Sequence, residues 1–328
     1  MITPPKIRIA HLPTPVEAMP RLTTLFNGPT LYVKRDYLTG LAFGGNKTRK
    51  LELLMADAQA QGARTLLTTG AVQSNHCRQT AAAAARLGFE CILVLAGEAP
   101  ERPTGNVLLD YLFGAEVVWV ETSERDLALK SAYSKALAEG RQPYLVPYGG
   151  SSPLGAASYA LALQELLEQG PEPDWIVFAT SSGGTQAGLV AGARMLGYSG
   201  QILGISVDEP ESVLQARVAE LAGQTIRVLG KPGDFRTEEV RINGDYLGAG
   251  YGAAAEAERE ALQLFAGMEG LVLDPVYTGR AAAGMIDLVR KGFFRKEEVV
   301  LFWHTGGGPA LFANRYQHFL GDFPRESP

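Results

Sequence analysis

The sequence predicts an α/β protein made of two open parallel-sheet units, and two observations carry that reading. Short β-branched apolar runs alternate with segments of helical period along nearly the whole chain, and glycines close the helical segments. Strand alternating with helix through short links is the pattern of a parallel sheet covered by helices. The runs are Thr65–Thr69, Glu90–Leu95, Glu116–Val120, Tyr144–Pro147, Trp175–Ala179, Gln201–Val207 and Val299–Trp303. The helical segments are Leu51–Gln61, Gln79–Leu87, Asn106–Phe113, Leu127–Glu139, Leu154–Glu168, Gln186–Leu196 and Ala253–Phe265. Gly62, Gly88, Gly114, Gly140, Gly170 and Gly197 follow six of them and read as C-terminal stops. Leu31 to Lys34, after Gly28-Pro29-Thr30, suggests an N-terminal strand that chain order alone allows in either sheet. The first four strand–helix units form one block, the small-residue link Tyr148-Gly149-Gly150-Ser151-Ser152-Pro153 follows it, and a second α/β block runs on from there.

Bulk properties narrow the function classes. The 328 residues suffice for two domains, and 46% hydrophobic with 20% charged residues is ordinary for a globular protein. A net charge of −5 leaves no electrostatic footprint for nucleic acid. The two cysteines, Cys77 and Cys91, fit a reducing compartment and cannot build a disulfide framework. Histidines at 11, 76, 304 and 318 are too scattered for a zinc site, so no metal is expected. Met1 to Met19 carries four prolines and no long apolar run, so neither a signal peptide nor a membrane span is expected, and the reading is cytoplasmic.

Chemistry concentrates in the loops, since ligands of open parallel sheets bind beyond the carboxyl ends of strands. Phe43-Gly44-Gly45-Asn46-Lys47-Thr48-Arg49-Lys50 breaks the backbone just before the pattern beginning at Leu51. Lys47 thus sits where a loop enters a helix, near unpaired N–H groups and two further cations, Arg49 and Lys50. That environment disfavours its protonated form and suits a nucleophile or Schiff-base former; the plainer reading is a basic first turn on a solvated helix. After Trp175–Ala179, Thr180-Ser181-Ser182-Gly183-Gly184-Thr185 leads into a helix, and small residues there let N–H and hydroxyl groups bind a phosphate. A tight turn with a hydroxyl cap is the alternative. Ser74, Asn75 and His76 stand at another helix entrance, as caps or as site residues. Asp274-Pro275-Val276-Tyr277-Thr278-Gly279-Arg280, Tyr251 between two glycines, and His304-Thr305-Gly306-Gly307 complete the set. An activated lysine combined with glycine-rich anion loops between two α/β blocks points to pyridoxal 5'-phosphate, whose aldehyde needs an amine and whose phosphate needs an anion nest.

Taken in order, the Gly44–Lys50, Gln73–His76, Ser181–Thr185, Asp274–Arg280 and His304–Gly307 motifs resemble the D-cysteine desulfhydrase and 1-aminocyclopropane-1-carboxylate deaminase family of pyridoxal phosphate enzymes, over nearly the whole chain. The resemblance implies a fold-type-II arrangement related to tryptophan synthase β, with the site between two domains. It places residues 50–155 in a small domain, and 1–49 with 156–328 in a large cofactor-binding domain. It implies Lys47 as the Schiff-base lysine, Lys50 as electrostatic support, and Ser74 and Asn75 facing the substrate carboxylate and the cofactor. Ser182, Gly183, Gly184 and Thr185 would hold the phosphate, Tyr277 would lie against the pyridine ring with Thr305 nearby, and Tyr251 would reach the substrate. Members are typically homodimeric.

Within that family the deaminase branch carries Glu and Leu where this chain has Thr278 and Thr305. A carboxylate keeps the pyridine nitrogen protonated and makes a strong electron sink; a threonine hydroxyl is a far weaker acid–base partner. A weaker sink suffices when a thiolate leaves from Cβ. The resemblance therefore implies α,β-elimination of D-cysteine to pyruvate, hydrogen sulfide and ammonia. L-Cysteate or another β-substituted amino acid is the alternative substrate, and ring-opening deamination is disfavoured. A phosphate-ligand binding protein without chemistry is argued against by Lys47, Asn75 and Tyr277 together. Arg280 stands where members often have Lys, and the Ser181–Gly184 stretch varies within the family.

Overall fold

A computed structural model describes residues 1–248, 250–317 and 319; His318 lies outside the described residues. In chain order the elements are β1 (Val16–Ala18), α1 (Pro20–Phe26), β2 (Thr30–Arg35), α2 (Asn46–Ala60), β3 (Thr65–Ala71), α3 (Asn75–Leu87), β4 (Glu90–Ala96), α4 (Gly105–Leu112), β5 (Glu116–Val120), α5 (Arg125–Ala138) and β6 (Pro143–Leu145). There follow α6 (Pro153–Leu167), β7 (Trp175–Thr180), α7 (Gly184–Leu196), β8 (Gln201–Ser206), α8 (Glu211–Val228), β9 (Arg241–Asn243), α9 (Glu256–Glu269), α10 (Thr278–Arg290), β10 (Val299–His304) and α11 (Asn314–Gln317). Among the described residues these strands form two sheets, ordered β1-β2-β10-β7-β8-β9 and β5-β4-β3-β6. Every pairing is parallel except β1 with β2. The N-terminal strand β2 joins the larger sheet, between β1 and β10.

The central strands read as unbroken apolar runs because both of their faces are buried. In β10, Val300 and Phe302 join one core while Leu301 and Trp303 join the other; β7 divides Val177 and Ala179 from Ile176 and Phe178 in the same way. α1, α9 and α10 cover the first face, through Leu22, Phe265 and Met285 among others. α6, α7 and α8 cover the second, through Leu163, Leu189 and Leu214. In the smaller sheet α2 and α3 pack on one face and α5 on the other.

Three sequence expectations need correction. α2 begins at Asn46, not Leu51, so Lys47 lies inside its first turn. The hydrophobic period misses this turn because Asn46, Thr48, Arg49 and Lys50 are polar yet buried against other loops. The strand–helix alternation leaves residues 211–228 unassigned, but Pro210 opens an 18-residue helix there that buries Leu214, Val218, Leu221, Ala222, Thr225 and Ile226. Finally, Gly88 and Gly197 cap their helices in the left-handed region, and Gly62, Gly114 and Gly140 also have positive φ, but Gly170 does not.

Candidate active site

Loops from the carboxyl ends of strands in both sheets meet in one cleft, as parallel sheets dictate. Its walls include Asn46 and Lys47 from α2, Ser74 and Asn75 after β3, Ser182, Gly183 and Thr185 after β7, Tyr251 and Tyr277, and Thr305 after β10. Backbone contact between the loops depends on glycine. Gly45 has φ 127°, and a Cβ on Gly306 would lie 2.7 Å from the Gly45 Cα. Asn46 N–H donates to the Thr305 carbonyl at 2.9 Å, so the first turn of α2 is pinned to the loop after β10.

Lys47 Nζ donates only to Asn46 Oδ1, at 3.2 Å, and no carboxylate pairs with it among the described residues. Burial lowers its pKa to about 8; the Arg78 charge adds to that effect and Asp274 opposes it. Arg78, thirty-one positions along the chain, therefore joins Lys50 as a cation acting on Lys47, whereas Arg49 does not. Arg49 is spent on a buried cluster: Nε and Nη2 hold the two oxygens of Asp36 at 3.0 and 2.8 Å, and Nη1 and Nη2 hold Glu165 at 2.9 and 2.8 Å. Lys50 is buried behind the cleft wall, donating to the Gly149 carbonyl at 3.1 Å and to Ser151 Oγ at 3.3 Å.

The loop after β7 makes the opposite wall. Gly183 precedes α7 with φ 84°, and this 13-residue helix directs its N-terminal N–H groups at the cleft. Asn46 Nδ2 donates to Thr185 Oγ1 at 3.1 Å, tying the lysine helix to this loop. Ser151 Oγ lies 2.7 Å from Ser182 Oγ and accepts from Gly184 N–H at 3.1 Å. Gly184 thus stands behind Ser151 and not on the cleft surface. A Cβ on it would meet the Ser151 side chain at 2.4 Å, which leaves no room for any larger residue. Ser151, in the link between the blocks, went unnoticed in the sequence; its signal is the Gly149-Gly150 pair that brings it close.

Ser74 both caps α3, accepting from Cys77 N–H at 3.2 Å, and lines the cleft. His76 faces Thr68 Oγ1 at 2.8 Å; that hydroxyl donates to the Val146 carbonyl, so His76 Nε2 carries the hydrogen and Nδ1 is left without a partner among the described residues. Burial, then the charges of Lys47 and Lys50, hold His76 well below its usual pKa, hence neutral. The Tyr251 and Tyr277 hydroxyls are 2.7 Å apart, and burial raises the pKa of both phenols, so both keep their protons. Arg280, fully buried, bonds Glu258 at 2.9 Å and the carbonyls of Val207 and Gly250 at 3.0 Å each. It thereby fixes the loop that presents Tyr251, a fork-shaped task beyond the mere charge seen in the sequence.

Thr278 departs from its expected place. It is fully buried, its hydroxyl donates to Asp274 Oδ1 at 2.7 Å, and it does not line the cleft. Asp274 spans the turn, also accepting from the N–H groups of Val276, Tyr277 and Thr278. Thr305 is the threonine that reaches the cleft.

A reactive amine facing hydroxyls and a helix N-terminus, beside an aromatic wall, fits pyridoxal phosphate. Residues 7–306 match the pyridoxal-phosphate dependent enzyme family. The chain belongs to that family. Its relatives include the D-cysteine desulfhydrases of Salmonella choleraesuis (strain SC-B67) and Salmonella typhi, 40% and 41% identical over 94% of this chain and 96% of each relative. Among solved structures, that of an ACC deaminase homologue superposes with a TM-score of 0.89 at 36% identity, covering 97% of this chain and 95% of that one. A T.th. threonine deaminase shares the fold, with a TM-score of 0.64 at 22% identity, covering 90% and 92% of the two chains. Like these relatives in fold, this pyridoxal phosphate enzyme is a fold-type-II protein. Within the described residues, no helix is long and apolar enough to cross a membrane, and no three metal-ligating side chains converge.

The lysine's shifted pKa has a measurable consequence for this enzyme. With a pKa of about 8, roughly a tenth of Lys47 is neutral at pH 7, against fewer than about one part in a thousand for an ordinary lysine. Capture of pyridoxal phosphate by cofactor-free protein is expected to speed up about tenfold per pH unit up to pH about 8 and then level off. Stopped-flow absorbance checks this; a rate still climbing towards pH 10 would show an unperturbed amine.

Proposed function

We propose that this protein is a carbon–sulfur lyase converting D-cysteine and water to pyruvate, hydrogen sulfide and ammonia. The observation that carries the reading is the pairing of a low-pKa Lys47, without a carboxylate partner among the described residues, with the anion cradle after β7, in a chain 40–41% identical to D-cysteine desulfhydrases.

Pyridoxal phosphate supplies an electron sink conjugated to the substrate Cα. The chain supplies binding and proton handling around it. Ser182, Gly183 and Thr185 would hold the phosphate; Gly184 and Lys50 act through Ser151, each donating an N–H to the same oxygen. Lys47 would be the covalent anchor, and the neutral form of its amine would take up the Cα proton as sulfur leaves from Cβ. Tyr277 flanks the ring. The coupled phenols of Tyr251 and Tyr277 keep a proton available for the leaving sulfur. Asn75 faces the cofactor, and Ser74 meets the substrate carboxylate at the N-terminus of α3, where N–H groups favour an anion. Thr305 offers a hydroxyl on the cleft wall, where the deaminase branch carries Leu, and no carboxylate stands at position 278 to serve ring opening.

The cofactor domain comprises residues 1–49 and 156–328 and the small domain 50–155, so the boundaries fall within α2 and α6. We also place the protein in the cytoplasm, in keeping with two buried free thiols, and assemble it as a homodimer. Phe43 and Phe312, each about two-thirds exposed, line one apolar hollow with Leu108 and Leu109, which supports a self-association face. Sedimentation at the mass of one 35.1 kDa chain would remove the dimer, and export of the thiols in oxidised form would remove the compartment.

A substrate panel decides the activity. D- and L-cysteine, L-cysteate, D-serine, 3-chloroalanine and 1-aminocyclopropane-1-carboxylate are supplied to holoenzyme, with keto acid, sulfide and sulfite measured together. D-Cysteine is expected to turn over with equal pyruvate and sulfide. Faster sulfite release from L-cysteate, or 2-oxobutyrate from the cyclopropane, overturns the proposal.

A further inference from the structure

Behind Asn75 lies a chain of buried polar groups that the roles above leave unused. The Gln73 carbonyl accepts from Asn106 Nδ2 at 2.8 Å, and Gln73 Oε1 accepts from Asn106 N–H at 2.8 Å. A backbone carbonyl is only an acceptor, so the Asn106 amide is fixed with its NH2 group on that side. Asn106 Oδ1 consequently faces Arg78, accepting from Nη1 at 2.7 Å. The same Nη1 donates to Asn75 Oδ1 at 2.9 Å, and Asn106 Nδ2 donates to that oxygen as well, at 2.9 Å. Arg78 and Asn106 are both fully buried, and Arg78 Nη2 is held by the Gly44 carbonyl at 2.9 Å.

A guanidinium can only donate. Rotating the Asn75 amide would turn its NH2 group towards two donors, so its oxygen must point inward. Among the described residues its NH2 group is left without a protein acceptor, on a residue that lines the cleft. We propose that Arg78 and Asn106 are positioning residues that lock Asn75 as a hydrogen-bond donor to an acceptor oxygen of the cofactor. This rests on the assignment of Asn75 to the cofactor wall made above. The lock also connects to the lysine loop: Arg78 and Gln79 Nε2 both donate to the Gly44 carbonyl, two residues before Asn46.

The test is a double-mutant cycle on cofactor affinity. Cofactor-free protein is titrated with pyridoxal phosphate, following tryptophan fluorescence, for Asn75→Ala, Arg78→Lys, Asn106→Ala and the doubles pairing each of the last two with Asn75→Ala. Arg78→Lys removes the fork, and Asn106→Ala, which leaves Arg78 in place, separates loss of the lock from any change of charge near Lys47. Asn75→Ala is expected to weaken binding about tenfold. Arg78→Lys and Asn106→Ala should each weaken it about three- to tenfold when Asn75 is present, and less than about twofold when it is absent. The visible band of the bound cofactor should move in the same direction in Arg78→Lys as in Asn75→Ala, a displacement that general loosening of α3 would not copy. Equal losses with and without Asn75 overturn the lock. Wild-type affinity in Asn75→Ala overturns the assignment of Asn75 itself, a separate failure. If Arg78→Lys does not fold by circular dichroism, the Asn106→Ala cycle carries the same two outcomes.

Discussion

Lys47→Ala protein is expected to lose at least about 10³-fold in kcat/KM for D-cysteine, to bind pyridoxal phosphate without covalent capture, and to show the visible absorption of the free aldehyde. Lys47 is the only lysine on the cleft wall among the described residues. Lys50, three residues on, is turned away towards Gly149 and Ser151 and cannot stand in for it. The substitution removes a side chain whose one hydrogen bond among the described residues is to the adjacent Asn46, so the fold should survive and the loss should be chemical. Absorbance spectra and sulfide release, measured on the same preparation, check both halves. A variant within tenfold of wild type would show that another amine does the work.

The largest expected loss of stability is at Arg49. Arg49→Met should cost about 3–5 kcal/mol, because a buried ion pair broken on one side leaves an uncompensated charge. Asp36 is fully buried, and burial alone would push its pKa up; the charge and hydrogen bonds of Arg49, with a hydrogen bond from Tyr159 at 2.6 Å, outweigh that and hold it low. Lys34 and Arg49 both contact Glu165, so three segments distant in sequence meet in one cluster. The midpoint of urea unfolding measures the change, and adding Asp36→Asn should restore part of it by removing the stranded charge. A loss below about 1 kcal/mol would mean that water enters and solvates Asp36. The same cluster sits two residues from Lys47, so Arg49→Met should also weaken cofactor capture.

Much of the architecture was legible before any coordinates, for an identifiable reason. Strands buried on both faces, such as Trp175–Thr180 and Val299–His304, must be continuously apolar, and their runs stand out without reference to partners. The cofactor too was legible, since an anion nest needs glycines and hydroxyls after a strand, and the chain places Ser182, Gly183 and Thr185 there. Segments whose stability comes from polar contacts were hidden. The first turn of α2 is buried through hydrogen bonds to Gln79, Asp36 and the Thr305 carbonyl, which no hydrophobic period records.

Sequence by itself determined the two-sheet α/β fold and the cofactor class, because these depend on local pattern and on residue types placed after strands. Tertiary structure alone decided which charges act on which groups. Arg49, two residues from Lys47, is neutralised by Asp36 and Glu165, whereas Arg78, thirty-one positions further along, lowers the lysine's pKa. It also turned Thr278 inward to Asp274 and left Thr305 at the cleft. Electrostatic influence falls with distance in space and grows with burial, and neither quantity is written in chain order.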